Sequence, residues 1–201
     1  MDDGWSRWRP PEAEASAGKL PSLHIFNLPD NVLVDAAAYL PKPSRAMFAV
    51  AMTATPSSWA KLNSRQLQQQ PSTISGAILS SSFELWEALD FEDIEQDLAS
   101  KLSDDDIAAI LTCTNAVSNL KRLKLTGCVN ITGIGLEPLR GSVVLEQIDL
   151  SLAKQHETPV IKLEPCISED MVLPILDSIV DADGNSLKHL QLPEKWRNKH
   201  H

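Results

Sequence analysis

No stretch of this chain approaches the ~18–20 consecutive apolar residues of a membrane-spanning helix. The start, Met1-Asp2-Asp3-Gly4-Trp5, has no basic cluster followed by an apolar run, so a secretory signal is not expected. Cysteine is scarce: Cys113, Cys128 and Cys166 are too few and too far apart for a disulfide framework, which points to a reduced compartment, cytosol or nucleus. No C-x-x-C or H-x(3–5)-H spacing occurs, so neither zinc nor another metal is expected. The patterns G-x-S-x-G, H-E-x-x-H and the phosphate-binding loop are missing as well. No catalytic residue and no cofactor are therefore assigned, and the chain reads as a non-enzyme. Basic residues are outnumbered, 18 Lys and Arg against 27 Asp and Glu, for a net charge of −9. That balance opposes nonspecific nucleic-acid binding.

The charge that is present is unevenly placed. Residues 36–83 hold no acid but carry Lys42, Arg45, Lys61 and Arg65. Residues 84–106 then hold ten acids against Lys101 alone. Such a change near residue 80 suggests a junction between two units. Residues 1–22, rich in Pro, Ser and Ala without apolar period, read as a mobile arm. Trp5 and Trp8 within it are incidental or a short docking motif. The polar, Pro-containing stretch at 67–83 reads as a linker, although Ile74 to Leu79 could be ordered.

Residues 27–66 read as short helices set off by prolines. Asp30 or Asn31 can cap a first helix, with Val32, Leu33, Ala36, Ala37 and Leu40 at helical spacing. Pro41 and Pro43 end it, and Ser44 can cap a second helix carrying Met47, Phe48, Val50, Ala51 and Met52. Ser57 or Ser58 can open a third with Trp59 and Leu62. A unit of under ~40 residues rarely folds unaided, so a neighbour or a partner must cover it.

The second half repeats. Leu120-x-x-Leu123-x-Leu125-x-x-Cys128-x-x-Ile131-Thr132-x-x-Gly135-Leu136 is followed 25 residues on by Leu145-x-x-Ile148-x-Leu150. Leu187-x-x-Leu190-x-Leu192 comes later, and Trp86-x-x-Leu89-x-Phe91 is an earlier, degenerate copy. Repeated short apolar strands that cannot bury their own faces predict a stack of parallel strands with outer helices. Expected strands are 86–91, 120–126, 145–151 and 187–192. Ser103, Thr132 and Ser168 are expected helix caps, with Asp104 to Asp106 serving a first turn rather than a metal. The spacing of 42 from Leu145 to Leu187 places an insertion at about 153–166, functional or merely tolerated. Cys128 is expected inside, below its strand.

Side chains alternate along a strand, so residues between the leucines face outward. Stacking gives a column Ala88, Arg122, Gln147, His189, then Asp90, Lys124, Asp149, Gln191, then Glu92, Thr126, Ser151, Pro193. Arg122, Gln147, His189, Asp90, Lys124, Asp149 and Gln191 form the expected partner-binding face. Asp90, Lys124 and Asp149 would make a minus-plus-minus ladder, self-neutralising or partner-reading. The face has no aromatic hot spot.

Leu28-Pro29, Val32-Leu33, Tyr39-Leu40-Pro41, Val50 and Trp59 give this segment a pattern that resembles the F-box, with Ala37, Ala51 and the late position of Trp59 beyond Pro56 as departures. The repeat starting at Leu120 resembles the cysteine-containing leucine-rich repeats that commonly follow an F-box. The resemblance implies an α/β fold: a short leucine-rich repeat solenoid with parallel strands and outer helices at 84–201, preceded by a small helical F-box-like unit. It also implies a substrate-recognition subunit of a cullin-type ubiquitin ligase. Leu28, Pro29, Leu33, Leu40 and Pro41 would dock a Skp-type adaptor linked to the cullin, and the repeats would bind an unknown protein substrate. The alternative is a scaffolding repeat protein whose N-terminal helices only cap the solenoid.

Overall fold

A computed structural model describes residues 28–53, 73–80, 86–152 and 166–197. The expected arm, the third helix with Trp59, and residues 153–165 of the insertion lie outside the described residues.

Helix α1, Asp30–Ala38, begins directly after Pro29, whose fixed φ of −59° holds an extended entry. The Pro29 carbonyl accepts from the N–H groups of Val32 and Leu33 at 3.0 and 3.2 Å. Neither Asp30 nor Asn31 is the cap; Asp30 instead places its charge in the first turn, where it favours the helix dipole. Helix α2, Lys42–Thr53, starts before Ser44. Pro43 is accommodated because an N–H in the first turn has no partner to lose. Helix α3, Thr73–Ser80, occupies the stretch expected to be a linker, and its Ile78 is fully buried. Burying that side chain is what turns the segment into structure.

Helix α2 serves two cores because its small apolar residues point two ways. Ala46 and Val50, four apart and so on one face, join the main core. Ala49, on another face, packs with Ala37 of α1 and Ile78 of α3. Alanine at both 37 and 49 lets these helices approach closely. Arg45 closes the turn between α1 and α2. Its Nε donates to the Ala37 carbonyl at 3.1 Å, and its Nη2 donates to those of Ala38 and Leu40 at 3.1 Å each. Carbonyls at and just after the end of α1 thus find a buried cation, the Ala37 one in addition to the Leu40 N–H.

The remainder is a four-stranded, all-parallel sheet in chain order: β1 Ala88–Asp90, β2 Arg122–Lys124, β3 Gln147–Asp149 and β4 His189–Gln191. The register pairs Ala88, Arg122, Gln147 and His189, then Leu89, Leu123, Ile148 and Leu190, then Asp90, Lys124, Asp149 and Gln191. This is the register expected from the repeats. The strands are shorter than expected because the chain bends out of the ladder after three residues: Phe91–Asp93 is a 3₁₀ turn, and Gly127 at φ +80° turns the chain after β2.

Between the strands lie α4 Gln96–Ala99, α5 Asp104–Cys113, α6 Ala116–Asn119, a 3₁₀ helix at Ile134–Leu139 and α7 Glu169–Val180; α8, Glu194–Arg197, follows β4. Ser103 caps α5 as expected, in a capping box with Asp106. Ser168 stands at the cap of α7 without a side-chain cap bond. Thr132 does not cap its helix; that turn is held from outside, by Asp104. The stretch Ile134–Leu139 stays 3₁₀ because Gly135 and Pro138 both disfavour an α-helix.

Leu89, Phe91, Leu120, Leu123, Leu125, Leu145, Ile148 and Leu150 form the inner core. Each such side chain contributes about 1.5–3 kcal/mol of burial. Trp86 donates from Nε1 to the Leu79 carbonyl at 3.2 Å, tying α3 to the start of β1. Beyond β4, Trp196 is 4% exposed and packed into the main core. The outer edge of β4 stays open: Leu190 remains 43% exposed, although its register mates are buried.

Candidate functional site: the outward face of the strands

The face is built by alternation. Leu89, Leu123 and Ile148 turn inward, so their neighbours turn out. Arg122, His189 and Gln191 are exposed; Ala88, Asp90, Lys124 and Gln147 are partly covered by adjacent strands. The sheet thus brings together the residues of the first two expected columns, with one exception.

Asp149 is 6% exposed and belongs to the turn below the face. Its Oδ1 accepts from the Ser151 N–H at 2.9 Å. The expected minus-plus-minus ladder therefore does not form. Lys124 instead leans the other way, with Nζ 3.6 Å from Asp90 and in a hydrogen-bonded pair with Glu92. That bond to Glu92 raises the Lys124 pKa, against the opposing pull of partial burial; the charge of Asp149 contributes only from a distance. The third column is a surface only in part: Thr126 and Pro193 are buried, while Glu92 is exposed and Ser151 half-buried.

A second ladder, which sequence reasoning missed, runs one residue before the strands. Glu87, Lys121, Glu146 and Lys188 follow the first apolar residue of each repeat, and their signs alternate. Backbone bonds carry the register outward: Lys121 N–H to the Glu87 carbonyl, Glu146 N–H to that of Lys121, and Lys188 N–H to that of Glu146, each at 2.8 Å. Lys121 pairs with Glu87 at 2.9 Å and Lys188 with Glu146 at 3.0 Å. The Glu87 hydrogen bond raises the Lys121 pKa, and the Lys188 hydrogen bond lowers that of Glu146. The signal was legible as alternating charge at one repeat position.

The N-terminal candidates do not all share a surface. Pro29 and Pro41 are exposed, and Leu28 and Leu40 are half-buried. Leu33, at 2% exposure, belongs to the interior and cannot line an accessible patch in the folded chain. On a nine-residue helix the positions that face inward are set by packing against α2 and α3, which a single apolar period does not specify. Val32 and Tyr39 take its place outside, Tyr39 being 89% exposed.

Cys128 is buried below β2 as expected, with Sγ 4.0 Å from the Thr126 carbonyl. Burial pushes the thiols of Cys128 and Cys113 up to about 12, so both stay protonated and unreactive. Cys166 is exposed where the chain rejoins the stack, its N–H donating to the Val129 carbonyl at 2.9 Å. Among the described residues no group of three or more His, Cys, Asp or Glu side chains is placed to hold a metal ion, and no helix is long and apolar enough to cross a membrane. No family model, curated protein or solved structure matches the chain.

Proposed function

We propose that the chain is a leucine-rich repeat receptor of an F-box type ubiquitin ligase. Its parallel strands form a short solenoid whose outward face recognises an unknown protein substrate. Its N-terminal helices dock a Skp-type adaptor, which links it to a cullin. The chain itself makes and breaks no bond; it supplies proximity between substrate and the enzymes of the complex. The observation that carries the reading is the shared register of four L-x-x-L-x-L strands, which places a polar, mixed-charge surface on one side. The N-terminal docking surface is argued from the resemblance to the F-box and from the exposure of Pro29, Val32, Tyr39 and Pro41.

Adaptor binding tests this directly. The purified full chain is titrated with the Skp-type adaptor of its own organism. Micromolar binding is expected, and it should be lost in the double variant Val32→Asp with Tyr39→Asp while the melting temperature is kept. Leu33 is left intact, since its burial would confuse loss of binding with unfolding.

A second reading is favoured by Ala46 and Val50, which α2 contributes to the main core. By that packing the helices close the β1 end of the stack, and the protein is a scaffold with no adaptor. Absence of adaptor binding by the folded wild-type chain would establish this reading in place of the first.

A further inference from the structure

The charges on the strand face differ in one respect: whether they already have partners. Lys121 has Glu87, Lys188 has Glu146, and Lys124 has Asp90 and Glu92. Asp149 is buried and receives the Ser151 N–H. Arg122 is the exception among the described residues of this face. Its side chain is exposed and makes no ion pair or side-chain hydrogen bond there. Glu146 feels its charge only as a minor influence, and that carboxylate is already bonded to Lys188.

A guanidinium offers five N–H donors in a flat fork that matches a carboxylate, and it keeps its charge at any ordinary pH. The column around it leaves room to use that fork. Ala88 on the neighbouring strand is small. Gln147 on the other side offers an amide that both donates and accepts, and His189 beyond it is exposed. With strands about 4.8 Å apart, Arg122 and His189 stand about 10 Å apart across Gln147, a span of about three residues of extended peptide.

We infer that this column docks a carboxylate-bearing peptide segment lying across the strands, with Arg122 as its anchor and Gln147 and His189 meeting the adjacent polar groups. The inference rests on the reading of the strand face as the recognition surface, and it does not depend on the adaptor. A net charge of −9 repels polyanions in general, so attraction of an acidic peptide requires a local site.

Fluorescence anisotropy with a labelled decaglutamate peptide tests it, using the full chain at about 50 mM salt. Saturable binding is expected, weakening as salt is raised. Arg122→Gln should lower the affinity roughly tenfold or more, because it removes a charge-assisted pair. Arg122→Lys should retain part of it, and Lys101→Gln, an exposed change away from the strands, should leave it unaltered. The inference is overturned if the peptide fails to bind at about 1 mM, if Arg122→Gln binds as the wild type does, or if a single-stranded thymidine oligonucleotide binds at least as well. Adaptor titration of the same preparations separates the two proposals. A chain that binds adaptor but not decaglutamate loses this inference and keeps the ligase reading; the reverse result keeps this inference and removes the ligase.

Discussion

The carboxylate of Asp104 reaches from the start of α5 to the backbone N–H of Gly135, 2.9 Å away in the following repeat. The same carboxylate accepts from the Thr132 N–H and hydroxyl, both at 2.8 Å, and from the Gly133 N–H at 3.0 Å. One side chain therefore supplies the N-terminal cap of a helix 28 to 31 residues ahead. The contact is two-sided. A Cβ on Gly135 would stand 2.6 Å from the Asp104 carbonyl oxygen and 2.9 Å from its Cα. Glycine is what lets the two repeats close to this distance.

Removing either partner should loosen the same junction. Asp104→Ala leaves four donors without their acceptor, and partial access of water to them limits the cost to about 1–3 kcal/mol. Gly135→Ala should cost at least as much, because the clash is with backbone and not with a flexible side-chain end. Urea unfolding of both variants measures this. A Gly135→Ala protein as stable as wild type would contradict the close approach.

Acid should act on that junction through Asp104. Burial pushes its pKa up, but the four hydrogen bonds together outweigh burial and hold it below the usual 3.8. A carboxylate depressed in the folded state adds stability that is fully present above its unfolded value. That stability is lost as pH falls through the folded value. The advantage of wild type over Asp104→Asn should therefore be full at about pH 6 and shrink as pH falls below about 4. Unfolding free energies of the two proteins at several pH values measure the difference. A difference that stays constant over this range would remove Asp104 as the titrating group.

Much of the sheet was legible because its signal is local and repeated. Spacing between Leu89, Leu123, Ile148 and Leu190 sets the register, and alternation sets which neighbours face out. What stayed hidden depended on contacts between distant residues. Asp104 reads as an acid in its own helix, yet it serves Thr132 and Gly135. Asp149 occupies an outward position by period, but a turn hydrogen bond with Ser151 draws it in. Arg45 stands in the sequence only as one of four cations in an acid-free stretch, whereas three carbonyls hold it inside. Leu33 follows the same apolar period as its neighbours, and only the packing of three helices decides that it points inward. The Glu87, Lys121, Glu146, Lys188 ladder could have been read, since it recurs at one position of the repeat.

Inward and outward positions of β2 should differ in cost. Leu123 is 1% exposed in the middle of the core, so Leu123→Ala should destabilise by about 2–5 kcal/mol. Lys124→Ala loses pairs with Asp90 and Glu92 that water partly screens, and should cost under about 1 kcal/mol. Urea melts of the two variants rank them, and a costlier lysine change would reverse the assignment of the faces.

Trp196 should matter more than its place near the end of the described chain suggests. It is buried and packed into the main core, beside the start of α7 at Ile167 to Asp170. Trp196→Ala should cost about 3–5 kcal/mol, the range for emptying a large aromatic site. Near-ultraviolet circular dichroism with a thermal melt tests it. An unchanged melt would mean that the last strand is secured without the indole.

Arg45 carries the final prediction, because it ties α2 to the end of α1. Its guanidinium bonds the Ala37, Ala38 and Leu40 carbonyls and lies at 6% exposure. Arg45→Met keeps the length and apolar stem but removes the guanidinium donors from the three carbonyls, of which Ala37 keeps the Leu40 N–H. Hydrogen bonds from a charged group are worth about 1.5–3 kcal/mol each at most, and they are not additive. Local loosening of α1 is therefore expected before any loss of the sheet, whose core does not include α1. Hydrogen exchange should show faster exchange of the Leu33 to Ala38 amides with little change at Leu123 and Ile148. Equal acceleration in both regions would show that the helices and the sheet unfold as one unit. Wild-type protection in α1 would show that Arg45 is dispensable for holding it.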